Sequence, residues 1–150
     1  MRTVIQRVSQ ASVSVEGKIV GAINQGLLIL LGIEEEDNLE DLDWLVKKIT
    51  QLRIFSDVDD KMNLSVKDVN GGFLVISQFT LHASTKKGNR PSYIRAARPE
   101  KAIPLYEAFI EELKKISELQ VESGVFGAMM DISLVNEGPV TIFIDTKSKE

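Results

Sequence analysis

The chain has no cysteine and a single histidine, His82. The first absence excludes disulfides, thiol nucleophiles and cysteine-ligated metals. The second excludes any metal centre built on several imidazoles. Long apolar runs are missing too. The longest, Leu27 to Leu31, falls far short of the roughly 20 residues that a membrane-spanning helix needs. The opening Met1-Arg2-Thr3-Val4-Ile5-Gln6-Arg7 lacks the apolar stretch of a secretory signal. These absences fit a reducing, cytoplasmic setting without membrane attachment. An excess of positive charge is also lacking: 18 Lys and Arg stand against 22 Asp and Glu, a net charge of -4. Any RNA contact must therefore rest on a local basic patch. There is no P-loop and no paired-carboxylate motif, and Gly124-Val125-Phe126-Gly127 does not meet the dinucleotide-binding pattern.

What is present is ordinary for a globular protein: 150 residues, 43% hydrophobic and 27% charged. That size fits one domain over 1–150 with a self-sufficient core. No repeat, linker or low-complexity stretch interrupts it. Ala11, Val13 and Val15 alternate with serines, the period of a half-buried strand. Gly17-Lys18 reads as a turn and Ile19 to Ile23 as the return strand. Leu27 to Leu31, apolar on both faces, reads as a fully buried central strand. Leu42, Leu45, Val46, Ile49 and Leu52 share one face of a helix from about Asn38 to Arg53, capped by Asp37 or Asn38.

Ser56 to Gly72 reads as a loop or small hairpin, and Phe73 to Leu81 as a strand. A long loop over 82–99 leads to a second helix ending near Ser117, with Pro104 placed in its first turn. Its buried face carries Leu105, Phe109, Leu113 and Ile116. Gln120 to Phe126, Met129 to Val135 and Val140 to Ile144 close the order as strands. The expected class is α+β: a strongly curved, barrel-like, mostly antiparallel sheet with two main helices.

Two strings hold most of the chemistry. Ser77-Gln78-Phe79-Thr80-Leu81 ends an apolar strand with two hydroxyls and an amide. Strand period puts Ser77 and Phe79 on one face and Gln78 and Thr80 on the other. The N–H groups of Phe79 and Thr80, losing ladder partners there, could hold an oxyanion; alternatively Phe79 is core and its neighbours merely end the strand. Asn136-Glu137-Gly138-Pro139-Val140-Thr141 reads on turn chemistry as a hairpin turn with a trans Gly–Pro bond. A cis bond would fix the direction of the neighbouring carbonyls.

His82 is the only imidazole base available to Thr80, though a simple loop residue is the plainer reading. The segment from Ala83 to Arg98 holds five basic residues and no acid: Lys86, Lys87, Arg90, Arg95 and Arg98. It reads either as a solvated loop or as a phosphate grip, with Tyr93 beside it for stacking. Phe126, Met129 and Met130 beside two glycines read as core or as pocket wall.

Together the two strings resemble the signature motifs of the D-aminoacyl-tRNA deacylases. The resemblance covers nearly the whole chain. It extends to Val4-Ile5-Gln6-Arg7-Val8, the Gly26-to-Gly32 strand, Arg90-Pro91-Ser92, Leu105-Tyr106 and Gly124 to Met130. It implies hydrolysis of the ester of D-aminoacyl-tRNA, with mischarged glycyl-tRNA also accepted and L-aminoacyl substrates rejected. It implies a homodimer with active sites at the subunit interface, and neither metal nor cofactor. Ser77, Gln78, Phe79 and Thr80 match the catalytic pocket. Gly138-Pro139 matches the Gly-cis-Pro element that reaches into the partner's pocket and blocks an L side chain. Arg7 matches a residue fixing that element, and Phe126 and Met130 match residues near the terminal nucleotide. Lys86, Lys87 and Arg90 are the candidate tRNA contacts.

Two mechanisms are compatible with this inventory: a Thr80 nucleophile, or activation of water by the substrate's own 2′-OH, which the family pattern favours. Two other functions compete. An RNA-binding module would bind tRNA without cleaving it, and a small-ester hydrolase would be indifferent to Lys86, Lys87 and Arg90.

Overall fold

Runs that are apolar at every position form the middle of this protein. The computed structural model describes residues 1–149. In it Leu27–Leu31 lies in β3 (Gly26–Gly32) and Phe73–Ile76 in β6 (Gly72–Ser77). The two strands pair in parallel, from Gly26 opposite Gly72 to Leu31 opposite Ser77. Alternate side chains point to opposite faces, and here each face meets its own core. Leu27, Ile29, Leu31, Phe73 and Val75 enter one; Leu28, Leu74 and Ile76 enter another, with Val8, Ala11, Val13 and Ile23. The first core is covered by α1 (Leu39–Gln51) and α2 (Pro99–Ser117). The second lies within the curl of the sheet.

That curl starts in β1 (Arg2–Val15), which is long enough to serve two neighbours. Residues 2–8 pair with β3 and 11–15 with β2 (Lys18–Ile23), both antiparallel. Buried positions run Thr3, Ile5, Arg7 and then shift phase to Val8, Ala11 and Val13. The register shifts around Val8 account for the change of face, since one inserted residue swaps inside for outside. The sheet order is β2-β1-β3-β6-β7, with β7 at Val121–Ser123, and β2 packs back against β6 and β7. β8 (Asp131–Asp145) pairs antiparallel with the free side of β1. β4 (Arg53–Ser56) and β5 (Met62–Ser65) form a separate hairpin. The expected α+β class, with a nearly closed barrel-like sheet and two helices, is what the chain adopts; its main sheet mixes antiparallel with parallel pairs.

Helix α1 starts where the sequence provides a cap. Asn38 Oδ1 accepts from the N–H groups of Glu40 (2.9 Å) and Asp41 (3.2 Å), and Asp41 Oδ2 accepts from the Asn38 N–H at 3.1 Å. This reciprocal box satisfies donors that the first turn leaves unpaired. The helix stops at Gln51, and Arg53 belongs to β4. In α2 it is Pro99 that takes the first helical position, so Pro104 lies in the second turn, inside the helix. There it forfeits one backbone bond. Burial of Ala102, Leu105, Tyr106 and Phe109 around it holds the helix regardless.

Three further expectations are corrected. The strand of the first motif ends at Ser77, and Phe79–His82 forms a 3₁₀ turn, so the two-face alternation of Ser77 to Thr80 does not apply. Residues 131–145 are one strand, not two strands around a hairpin turn. Of Gln120 to Phe126, only Val121–Ser123 is strand.

His82 is not a loop residue either. The 3₁₀ turn carries it inward, where it is 1% exposed. Burial pushes its imidazole below the ordinary 6.5, helped by the smaller repulsion of Arg2 and the N-terminal ammonium, against the upward pulls of the Gly32 backbone and the Glu34 carboxylate. A His whose folded value is depressed takes up its proton more readily in the unfolded chain. Its stabilising effect is therefore present above about pH 6.5 and drains away as pH falls toward its folded value. The lowered carboxyls of Asp41 and Asp145 act only further down, below their ordinary 3.8. Denaturant midpoints should fall as pH drops below about 6.5 in the parent and stay flatter in His82→Leu. Parallel curves for the two proteins would remove this role from His82.

Candidate active site

The parallel pair β3–β6 ends at Leu31 and Ser77, and the chain departs in different directions from the two ends. A cavity of about 410 Å³ opens there, the place where a sheet with divergent connections leaves a crevice. Leu31, Ile33, Ile76 and Ile132 provide apolar walls, with Ala97 just before α2 and Ala102 near its start. Ser77, Gln78 and Phe79 line one side, and Phe126 to Met130 the other. A mostly apolar cleft with few polar groups is the usual form of a small-ligand site.

Each wall is held in place. Gln78 N–H donates to Leu31 O at 2.8 Å, which ties the departing chain to β3. The side-chain amide of Gln78 donates to Thr80 Oγ1. The 3₁₀ turn then leaves the N–H groups of Phe79 and Thr80 without an acceptor among the described residues. Phe126 packs edge-on against Tyr106, with centroids 5.5 Å apart. Tyr106 in turn donates its hydroxyl to Val75 O at 2.9 Å. Burial pushes that phenol up to about 12, so it remains a proton donor. Gly124 lets this wall pack closely, because a Cβ there would push the Met130 side chain aside.

His82 lies behind the wall and not in it. Its Nδ1 is 3.9 Å from Glu34 Oε2, and neither ring nitrogen has a hydrogen-bond partner among the described residues. It does not share a face with Thr80, so the Thr80–His82 pair does not form.

The second motif is elsewhere. Gln6 pairs with Thr141 and Val8 with Asn136. Residues 137–140 therefore stand opposite Arg7 alone and bulge from the strand. The Gly138–Pro139 bond in this bulge is cis. Arg7, 8% exposed, donates through Nη1 to Ile54 O (2.7 Å) and through Nε to Glu137 O (3.2 Å). Asn136 closes the bulge, accepting from Val140 N–H at 3.2 Å and donating to Thr141 Oγ1 at 2.9 Å. Gly138 and Pro139 are exposed and line none of the cavity. Within one chain the two motifs do not meet.

The basic segment divides. Arg95 pairs with Glu34 Oε2 at 2.9 Å, and the Arg98 N–H points at Glu35. Lys86, Lys87 and Arg90 are exposed and form no ion pair among the described residues. Sequence reasoning missed Glu34, Ile33, Ala97 and Ala102. No spacing rule links them, because the loops bring them together.

The molecule thus combines a barrel-like sheet, an apolar cleft beside Ser77–Phe79 and an outward Gly-Pro bulge. The family model for D-Tyr-tRNA(Tyr) deacylase matches residues 4–145. The D-aminoacyl-tRNA deacylases of Akkermansia muciniphila and Flavobacterium psychrophilum are 63% and 61% identical over 150 residues, the full length of each chain. The solved c-Myc DNA Unwinding Element Binding Protein superposes with a TM-score of 0.91 at 42% identity, covering 97% of this chain and 98% of the other. A probable eukaryotic D-amino acid tRNA deacylase shares the fold, with a TM-score of 0.82 at 17% identity, covering 95% of this chain and 97% of its own. The chain belongs to the D-Tyr-tRNA(Tyr) deacylase family, and so to the hydrolases that cut the carboxylic ester of D-aminoacyl-tRNA.

Proposed function

We propose that the chain acts in the cytoplasm as a homodimeric chiral proofreader, clearing D-aminoacyl-tRNA and mischarged glycyl-tRNA while sparing L-aminoacyl-tRNA. The observation that carries this reading is the separation of the two motifs. The cleft is open to solvent on one side, and the exposed Gly138–Pro139 bulge lines none of it among the described residues. A second copy brings the two together. β8 is suited to the contact: among the described residues β1 is its one partner strand, so apart from the Asp145–Ser148 bridge its other edge is free. It also exposes Leu134, Val135 and Phe143. A free 15-residue edge is a surface that proteins normally cover.

In that arrangement the terminal adenosine and its aminoacyl group occupy the cleft between Phe79 and Phe126–Met130. The partner's bulge presents backbone, not side chain, to the α-carbon. A backbone wall excludes one enantiomer whatever the side chain, whereas a pocket weighing methylenes discriminates by only about 1–3 kcal/mol each. Glycine has nothing to exclude and passes. Lys86, Lys87 and Arg90 hold phosphates of the acceptor end.

For the chemistry, water attacks the ester carbonyl and the ribose oxygen leaves. Phe79 lines the cleft and Thr80 follows it just outside the lining; their unpaired N–H groups are the donors this reading assigns to the charge that develops on the carbonyl oxygen. The substrate's 2′-OH, already adjacent, assists the attacking water. Thr80 has no imidazole to activate it, since the single histidine is buried and neither of its ring nitrogens bonds Thr80.

Labelled D-Tyr-tRNA and L-Tyr-tRNA, incubated side by side with a chelator, test the reading. Release of D-tyrosine alone is expected. Equal release of both would remove the chiral role of Gly138–Pro139, and tRNA binding without release would leave only an RNA-binding module. Thr80→Ala is expected to stay within about tenfold of the parent. A loss beyond about 10⁴ in a folded variant would restore Thr80 as nucleophile.

A further inference from the structure

Two aromatic side chains at the mouth of the cleft are more exposed than their size explains. Phe79 is 55% and Tyr93 38% exposed, yet they pack edge to face with centroids 5.1 Å apart and planes at 76°. Phe79 lines the cleft, and Tyr93, which does not line it, packs on Phe79.

Tyr93 is held from both sides. Ser84 and Ser92 exchange both backbone bonds, at 2.8 and 2.9 Å, which closes the segment between them into a hairpin-like loop. Ala96 N–H donates to Tyr93 O at 3.0 Å and Ala97 N–H to Ile33 O at 2.9 Å. Arg95 is pinned to the buried Glu34 carboxylate at 2.9 Å. The loop this builds carries Lys86, Lys87 and Arg90, exposed and without ion-pair partners among the described residues. The order by contact and then along the loop is thus apolar cavity, exposed aromatic pair, free cations.

That order matches a single strand of RNA leaving the cavity: a nucleoside inside, stacked bases at the mouth, phosphates on cations. Aromatic faces receive bases of any identity, each stack being worth about 1–3 kcal/mol. We propose that Tyr93, backed by Phe79, is a stacking step for the nucleotides that precede the terminal adenosine in the single-stranded 3′ end. This rests on the tRNA reading above. The occupant is RNA and not a second copy of the chain, because a two-fold contact here would set the same free cations against one another.

The test compares two substrates, D-tyrosyl-tRNA and D-tyrosyl-adenosine, which lacks the preceding nucleotides. The readout is the ratio of their kcat/KM values. Tyr93→Ala should lower this ratio about tenfold, mainly through KM on the tRNA, while Tyr93→Phe and Tyr93→Trp, which keep a stacking face, hold it within about twofold. An unchanged ratio in Tyr93→Ala overturns the proposal. So does an equal fall in Tyr93→Phe, which would make the hydroxyl the contact and not the ring. So does a Tyr93→Ala variant that alters sedimentation but not the ratio, which would make this a chain–chain surface. A parent enzyme that cleaves neither substrate would instead overturn the deacylase reading itself.

Discussion

Gly138→Ala is expected to lower kcat/KM for D-aminoacyl-tRNA by about 100-fold or more while the protein stays folded. Gly138 has φ +125, a conformation that L side chains rarely adopt. A Cβ there would lie 2.9 Å from Arg7 Nη2, 2.9 Å from Val140 Cγ2 and 3.2 Å from Val140 N. A guanidinium tip could ordinarily swing aside, but this one is anchored by the carbonyls of Ile54 and Glu137. The strand backbone at Val140 is anchored by Asn136. The bulge itself must therefore move. Strain of this kind costs about 1–3 kcal/mol, less than the roughly 5–15 kcal/mol that holds a typical domain folded. Catalysis is less tolerant, since a displacement near 1 Å at a positioning element can cost about 10²-fold. Single-turnover release from D-Tyr-tRNA, with circular dichroism as the folding control, measures it. A folded Gly138→Ala enzyme working at more than about a third of the parental rate would show that this bulge faces no substrate.

Gly138 also shows what could and could not be read from the chain. The residues Asn136 to Thr141 have the same turn chemistry whether they reverse the strand or bulge from it. The choice is made by β1, which pairs on both sides of them, and pairing between distant segments leaves no mark on the local sequence. The 3₁₀ turn at Phe79–His82 was hidden for a related reason. Its residues suit a strand, but Gln78 N–H is captured by Leu31 O, which breaks the alternation and carries His82 inward. By contrast β3, β6 and α1 were legible, because uninterrupted apolar runs and a capping box act locally. The two motifs were legible as strings and as a family resemblance. Their placement on different surfaces was not, and neither was Glu34, whose burial depends on the loop that Arg95 closes over it.

Arg7→Ala should be the most damaging change outside the cleft, lowering stability by about 3 kcal/mol and activity by about 100-fold. The two effects have separate origins in one side chain. Arg7 sits in β1 among inward-facing residues, and its guanidinium spans from Ile54 O on the β4–β5 hairpin to Glu137 O in the bulge. Removing it strands two carbonyls that had charge-assisted donors, each worth about 1.5–3 kcal/mol, and empties a buried space. For a chain of this size that corresponds to roughly 6–12 °C in Tm. Arg7→Lys should recover part of the stability but little of the activity, because one ammonium cannot reproduce a planar fork that reaches two separate acceptors. Activity is lost because Glu137 O, once released, no longer sets where Gly138–Pro139 projects. The double variant Arg7→Ala with Gly138→Ala separates these causes. If both act through the position of the bulge, activity falls little further than in Gly138→Ala alone, and the stability losses are less than additive, because removing Arg7 also removes the guanidinium that a Cβ at position 138 would meet. Fully multiplicative activity losses would show that Arg7 touches the reaction by a route of its own.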